Sequence, residues 1–368
     1  MKKGLRFALA SLPVFSLTAL IACGGDTPPP SPPPPPAPPP IASVAPVASA
    51  PVDAGPTTSA APALAQPQIV TARQGTIRAL AVQGRWTYWL TQSGDVKRAP
   101  TSGGPALKVA TFGLASLAVS NGMIYVADYD AKKKTCTLYR INPDLSNKPA
   151  SIGSQAGTLC DIVADDKRVA WGVQSGKKYD VTLFDKGDTK GKKLAPADAT
   201  AGDDLALGPD AVYFDDGGQV ITVPFDAKGK AKSIGQVAAP QVVFDLTYAG
   251  DRLFMVVQPA IDQFEGESLV SMPAAGGDQA VIVKSDSLMG NFASDAQNVY
   301  WSASGTKAND YKDGKIMKLA LAAGSTPAVI AVNQSEPHGV AVDDENVYFS
   351  NDKGLASDAD SDVLRLAK

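Results

Sequence analysis

The chain has one histidine, His338, among its 368 residues, and only three cysteines, Cys23, Cys136 and Cys160. Multi-histidine metal sites are therefore excluded, and any Ser-His-Asp or Cys-His mechanism would have to use His338. A basic excess is also missing: 34 Lys and Arg stand against 37 Asp and Glu, a formal net charge of −3. That balance argues against nucleic acid or anionic lipid head groups as partners. Acidic residues are absent before position 23, where the only charges are Lys2, Lys3 and Arg6.

Those three charges precede an apolar stretch, Phe7 to Ala22, broken only by Ser11, Pro13, Ser16 and Thr18. The stretch is short for a membrane span and ends in small residues, as a secretory leader does. Leu20-Ile21-Ala22-Cys23 resembles the bacterial lipoprotein signal. The resemblance implies cleavage after residue 22 (leader 1–22), acylation of Cys23 at sulfur and amine, and a lipid anchor in the cell envelope. Several acyl chains at about 0.8 kcal/mol per buried methylene make such an anchor durable. Gly24 lacks the aspartate that retains lipoproteins at the inner membrane of enterobacteria, which favours the outer membrane. An uncleaved helix with an incidental cysteine is the alternative. Loss of Lys2, Lys3 and Arg6 with the leader takes the net charge from −3 to −6.

Residues 24–67 hold 16 of the 29 prolines, nearly unbroken from Pro28 to Pro40. Proline cannot donate to a helix or sheet, so residues 23–67 read as extended polyproline II followed by an Ala/Pro tether. A spacer holding the next domain clear of the membrane fits this composition. A docking motif is the alternative, although no aromatic residue, and no charge other than Asp26, flanks the run to give specificity.

From Gln68 onward, an apolar triplet recurs with an aromatic-rich pair whose first residue lies eight positions after the triplet's first. The seven instances begin at Leu80 with Tyr88-Trp89, Leu117 with Tyr125-Val126, Ile162 with Ala170-Trp171, Leu205 with Tyr213-Phe214, Leu246 with Phe254-Met255, Phe292 with Tyr300-Trp301, and Val340 with Tyr348-Phe349. Third strands such as Val96-Lys97-Arg98 and fourth strands such as Ala328-Val329-Ile330 complete each unit. Four short antiparallel strands at a period of about 43 residues predict a β-propeller blade. The expected fold is thus all-β, a seven-bladed propeller over residues 68–368, with six or eight blades as alternatives. The last unit stops after its third strand, and Gln68-Ile69-Val70-Thr71 is expected to supply the missing edge and close the ring.

The units resemble TolB-like and YWTD/NHL-type propellers, most closely at Tyr300-Trp301-Ser302 and Tyr348-Phe349-Ser350-Asn351. Such propellers host scaffolds, receptors and hydrolases, so the fold does not choose among these functions.

Candidate sites follow from the alignment. The residue before each triplet is Ala79, Ser116, Asp161, Asp204, Asp245, Asn291 and Gly339, which places Asp161, Asp204, Asp245 and Asn291 around the mouth of the central channel. Carboxylates gathered there would be relieved by Ca²⁺ or another divalent cation. Lactonase-type propellers look similar in holding a metal at this position. Alternatively, the short polar side chains accept hydrogen bonds from loop amides. His338 is expected at the same mouth, as a general base or a structural residue. Tyr129, Tyr179, Phe264 and Tyr311 are expected exposed on variable loops of one face, a binding surface or a cover for the blade ends. Cys136 and Cys160 fall in neighbouring blades on that face, and an even pair in an exported chain reads as a disulfide, with two buried thiols as the alternative. These features point to an envelope lipoprotein with a monomeric propeller that binds a ligand, a protein or a glycan without catalysis. A metal-dependent hydrolase of the lactonase kind is the runner-up.

Overall fold

The second residue of each aromatic-rich pair lies directly opposite the first residue of its triplet. The partners are Leu80–Trp89, Leu117–Val126, Ile162–Trp171, Leu205–Phe214, Leu246–Met255, Phe292–Trp301 and Val340–Phe349. One hairpin register, used seven times, therefore underlies the constant offset. These pairings come from a computed structural model, which describes residues 64–368 apart from 186, 195–196, 199–203, 227–228, 261–265, 286, 288 and 353–359. The expected leader, Cys23, nearly all of the proline-rich stretch, and Phe264 lie outside the described residues.

The turns that hold the register use two chemistries. In blades 2 and 5 a two-residue loop has both residues in the left-handed region: Asn121 and Gly122 (φ 50° and 78°), and Gly250 and Asp251 (φ 52° and 61°). That is the type I′ geometry whose twist matches the flanking strands. In blades 3, 6 and 7 an aspartate opens the turn and accepts the backbone N–H groups two and three residues on. Asp165 takes Lys167 and Arg168 at 2.7 and 2.6 Å, Asp295 takes Gln297 and Asn298 at 2.8 Å each, and Asp343 takes Glu345 and Asn346 at 2.9 and 2.8 Å. The side chain replaces a backbone acceptor, as in an Asx-turn.

Each blade is a meander in chain order. Blade 1 comprises Ile77–Gln83, Trp86–Thr91, Asp95–Pro100 and Leu107–Thr111. The first strands of blades 2 to 7 are Leu114–Ser120, Leu159–Ala164, Leu205–Leu207, Val242–Ala249, Met289–Ser294 and Pro337–Val342. Blade 3 has a divided outer edge, Lys192–Lys193 and Ala197–Asp198, both paired with its third strand. Blade 7 takes its fourth strand from the start of the domain: Gln68–Thr71 pairs with Asp362–Ala367, and Arg365 donates to Gln68 Oε1 at 2.8 and 3.2 Å. Closure by non-consecutive strands makes opening the ring cost a whole sheet edge.

Packing follows from strand alternation. Successive side chains of the second strand point to opposite faces of the blade, so the two members of each pair enter different interfaces. Tyr300 packs between blades 6 and 7, and Trp301 between blades 5 and 6; Tyr348 packs between blades 7 and 1, and Phe349 between 6 and 7. Seven apolar clusters fill the seven interfaces in this way. Outer strands expose Leu107, Val281 and Val332. Register shifts and lysines such as Lys108, Lys232 and Lys284 interrupt those edges, which blunts them against pairing with another chain.

Candidate functional site

The seven first strands enclose a central cavity of about 1040 Å³. Asp161, Asp204, Asp245 and Asn291 all line it, so the sequence alignment brings the expected residues to one channel. Among the described residues no three or more His, Cys, Asp or Glu side chains stand grouped as a metal site would require. Each of the four lies in or directly before the first strand of a different blade, 3 to 6, on the wall of the cavity. Two of them make local contacts. Asp245 Oδ1 accepts the Leu246 N–H at 2.8 Å, and the Asp204 N–H donates to Asp215 at 3.3 Å.

Arg78, which the alignment passed over, also lines the channel. It is the extra residue of a register shift between Ile77 and Ala79, and such a bulge re-aims a side chain. Burial pulls the Arg78 pKa below its ordinary value. First strands of blades 5, 6 and 7 carry shifts at the same end. A one-residue offset hides these positions from an alignment built on the regular triplets.

The opposite end of the channel carries the turn aspartates, which sequence reasoning also missed. Asp165, Asp166, Asp295, Asp343 and Asp344 line the cavity there. The recurring Asp-x-x-Asn-Val-Tyr at 295–300 and 343–348 was the available signal. Asp165 pairs with Arg168 at 2.8 Å, Asp295 with Lys368, and Tyr300 and Tyr348 donate to Asp295 and Asp343 at 3.0 and 2.7 Å. The lining as a whole has eight aspartates and a single basic residue, Arg78.

His338 sits at the start of the blade 7 first strand, beside the channel lining. Its ring lies between two carboxylates, Nε2 at 3.9 Å from Glu336 and Nδ1 at 3.9 Å from Asp352. Nearby hydroxyls serve the backbone: Ser302 donates to the His338 carbonyl at 2.7 Å, and Ser350 accepts the Gly339 N–H at 3.1 Å. Glu336 is buried and holds a left-handed φ of 44°, a strained conformation for a residue other than glycine.

The expected aromatic face is only partly formed. Tyr179 is fully buried between blades 3 and 4, its ring 4.6 Å from Phe214, which corrects its assignment to an exposed surface. Position 179 belongs to the third strand of blade 3, Lys178–Asp185, and its inward alternation carries the ring over Gly172, where no side chain competes for the space. Tyr129 and Tyr311 are half-buried. Tyr129 lines a shallow cavity of about 520 Å³ with Leu114, Asp128 and Lys132. The Tyr311 carbonyl accepts the Glu336 N–H at 2.8 Å, tying the blade 6 loop to the turn before His338. Cys136 and Cys160 are buried free thiols in the interface of blades 2 and 3. The neighbouring Cys136 sulfur, reinforced by burial, disfavours the Cys160 thiolate and raises its pKa far above the ordinary thiol range.

No known family model matches the chain, and no curated protein matches its sequence. Among solved structures, the computationally designed protein Ika8 is similar at a TM-score of 0.52 and 14% identity, covering 81% of this chain and 100% of that one. A nidogen/laminin complex covers 71% of this chain and 84% of its own at 11% identity and a TM-score of 0.41. The tricorn protease covers 76% and 36% at 11% and 0.41. The Ika8 likeness speaks to fold alone, and the other two are too distant to carry an argument.

Proposed function

We propose that the chain is a lipid-anchored protein of the bacterial cell envelope whose TolB-like or YWTD/NHL-type propeller binds a partner at its channel mouth without catalysis. The observation that carries the binding role is the channel lining, eight aspartates against Arg78. A cleft of one charge sign with low-dielectric walls focuses its field and raises the local concentration of oppositely charged groups. The partner is then a protein or glycan that presents cationic or hydrogen-bond-donating groups to the ring of Asp161, Asp204 and Asp245. The hydrolase alternative lacks a converging ligand set among the described residues, so binding is the better-supported role. Leu20-Ile21-Ala22-Cys23 and the basic residues before it support the anchor, and the prolines that follow support a spacer.

The test compares the full chain with its D161N/D204N/D245N variant against basic peptides and envelope glycans at low and high salt. Saturable binding is expected, weakened about tenfold or more by the triple substitution, which corresponds to about 1.4 kcal/mol, and weakened by salt. Equal affinities for the two proteins would overturn the channel-mouth reading. C23S is expected to abolish labelling by radioactive palmitate, and retained label would contradict the anchor.

A further inference from the structure

The interface between blades 2 and 3 differs from the other six in holding two thiols within one apolar cluster. Cys136 opens the third strand of blade 2, Thr135–Ile141, and is fully buried. Cys160 lies in the first strand of blade 3, directly opposite Val173, and is 8% exposed. Gly157, in the link between the blades, lies beside Cys136. A Cβ built there would lie 3.6 Å from Cys136 Sγ and would collide with the Val173 side chain. Only glycine therefore lets the link pass between Cys136 and Val173, the residue directly opposite Cys160, and both cysteines belong to one buried cluster. The link is pinned on both sides, by Gly157 N–H to the Lys134 carbonyl at 3.0 Å and Thr158 N–H to the Gln174 carbonyl at 2.9 Å.

We infer that Cys136 and Cys160 are an oxidisable pair that forms a disulfide joining blade 2 to blade 3. The inference rests on the placement of the two sulfurs and not on the binding role. In the reaction, one thiolate attacks a disulfide of an external oxidant, such as an envelope thiol oxidoreductase or oxidised glutathione. The second then attacks the mixed disulfide. One Sγ–Sγ bond forms, the oxidant's S–S bond breaks, and the two protons leave on the oxidant's two thiols. A buried pair reacts slowly once the ring is closed, so the bond forms while the blades assemble. It then staples the ring at a point remote from the strand closure in blade 7.

The test uses the full chain exported by its own leader in a host with an oxidising envelope. Thiols are trapped with acid, the chain is unfolded and alkylated, and peptides are mapped without reduction. The expected result is one species joining the peptide of Cys136 to that of Cys160, with no alkyl group on either. Alkylation of both cysteines, or either joined to another partner, would overturn the pairing. The melting temperature of the same protein before and after reduction then reads out the staple with no mutation that could itself unfold the chain. A lower value after reduction is expected, and an unchanged value would overturn the stapling role.

Discussion

Tyr179 shows how alternation in a strand decides what a side chain does. Its ring rests on Phe214 across the interface of blades 3 and 4, fully shielded from solvent. Tyr179→Ala is expected to cost about 3–5 kcal/mol, the range for removing a buried aromatic ring, read as a lower midpoint in a denaturant titration. A surface role would leave that midpoint unmoved. The sequence misleads here because a tyrosine after Gly176-Lys177-Lys178 looks like a loop residue until the strand register is known. Asp161, Asp204 and Asp245 were legible because the start of each first strand recurs at a fixed distance from the triplet. Whether they converge on an ion depends on distances across the ring, which no local pattern encodes. Arg78 was hidden by the extra residue of its bulge.

At the scale of the element, the inner hairpin was legible throughout because the first residue of each triplet meets the residue nine positions on, and only that hairpin has constant length. Its turns explain why. A glycine-bearing type I′ loop and an aspartate-anchored loop close the same register by different means. Asp295 extends this role between blades. Burial alone would raise its carboxyl pKa, but hydrogen bonds from Lys368, Gln297, Asn298 and Tyr300 outweigh burial and hold it at about 2, below the ordinary 3.8. A carboxyl with a folded value below its unfolded one stabilises the protein above the unfolded pKa and loses that contribution as pH falls through the folded value. Melting temperature should therefore drop as pH is lowered from about 4 to about 2. Asp295→Asn should reduce the drop while melting lower at neutral pH. Calorimetry across that range checks both, and an unchanged acid profile in the variant would contradict the role of the carboxylate.

At the scale of the whole molecule, seven interfaces with seven separate cores hold the ring together, and first-strand residues such as Leu117, Ile162, Leu246 and Val340 belong to them. Eight aspartates on the lining leave an acidic cavity of about 1040 Å³ open to a partner. Blade number and closure were legible from the repeat and from the missing last strand, whereas the acidity of both channel ends emerged only when the turn aspartates were placed on the same wall. The most direct measurement is site-specific photo-crosslinking of the full chain in its native envelope. The photoreactive group would replace either Asn291 at the channel mouth or Val281 on the exposed outer strand of blade 5. The account predicts a discrete adduct with an envelope protein or glycan from position 291 and none from position 281. An adduct from 281 with none from 291 would place the binding surface on the rim and contradict a channel-mouth site.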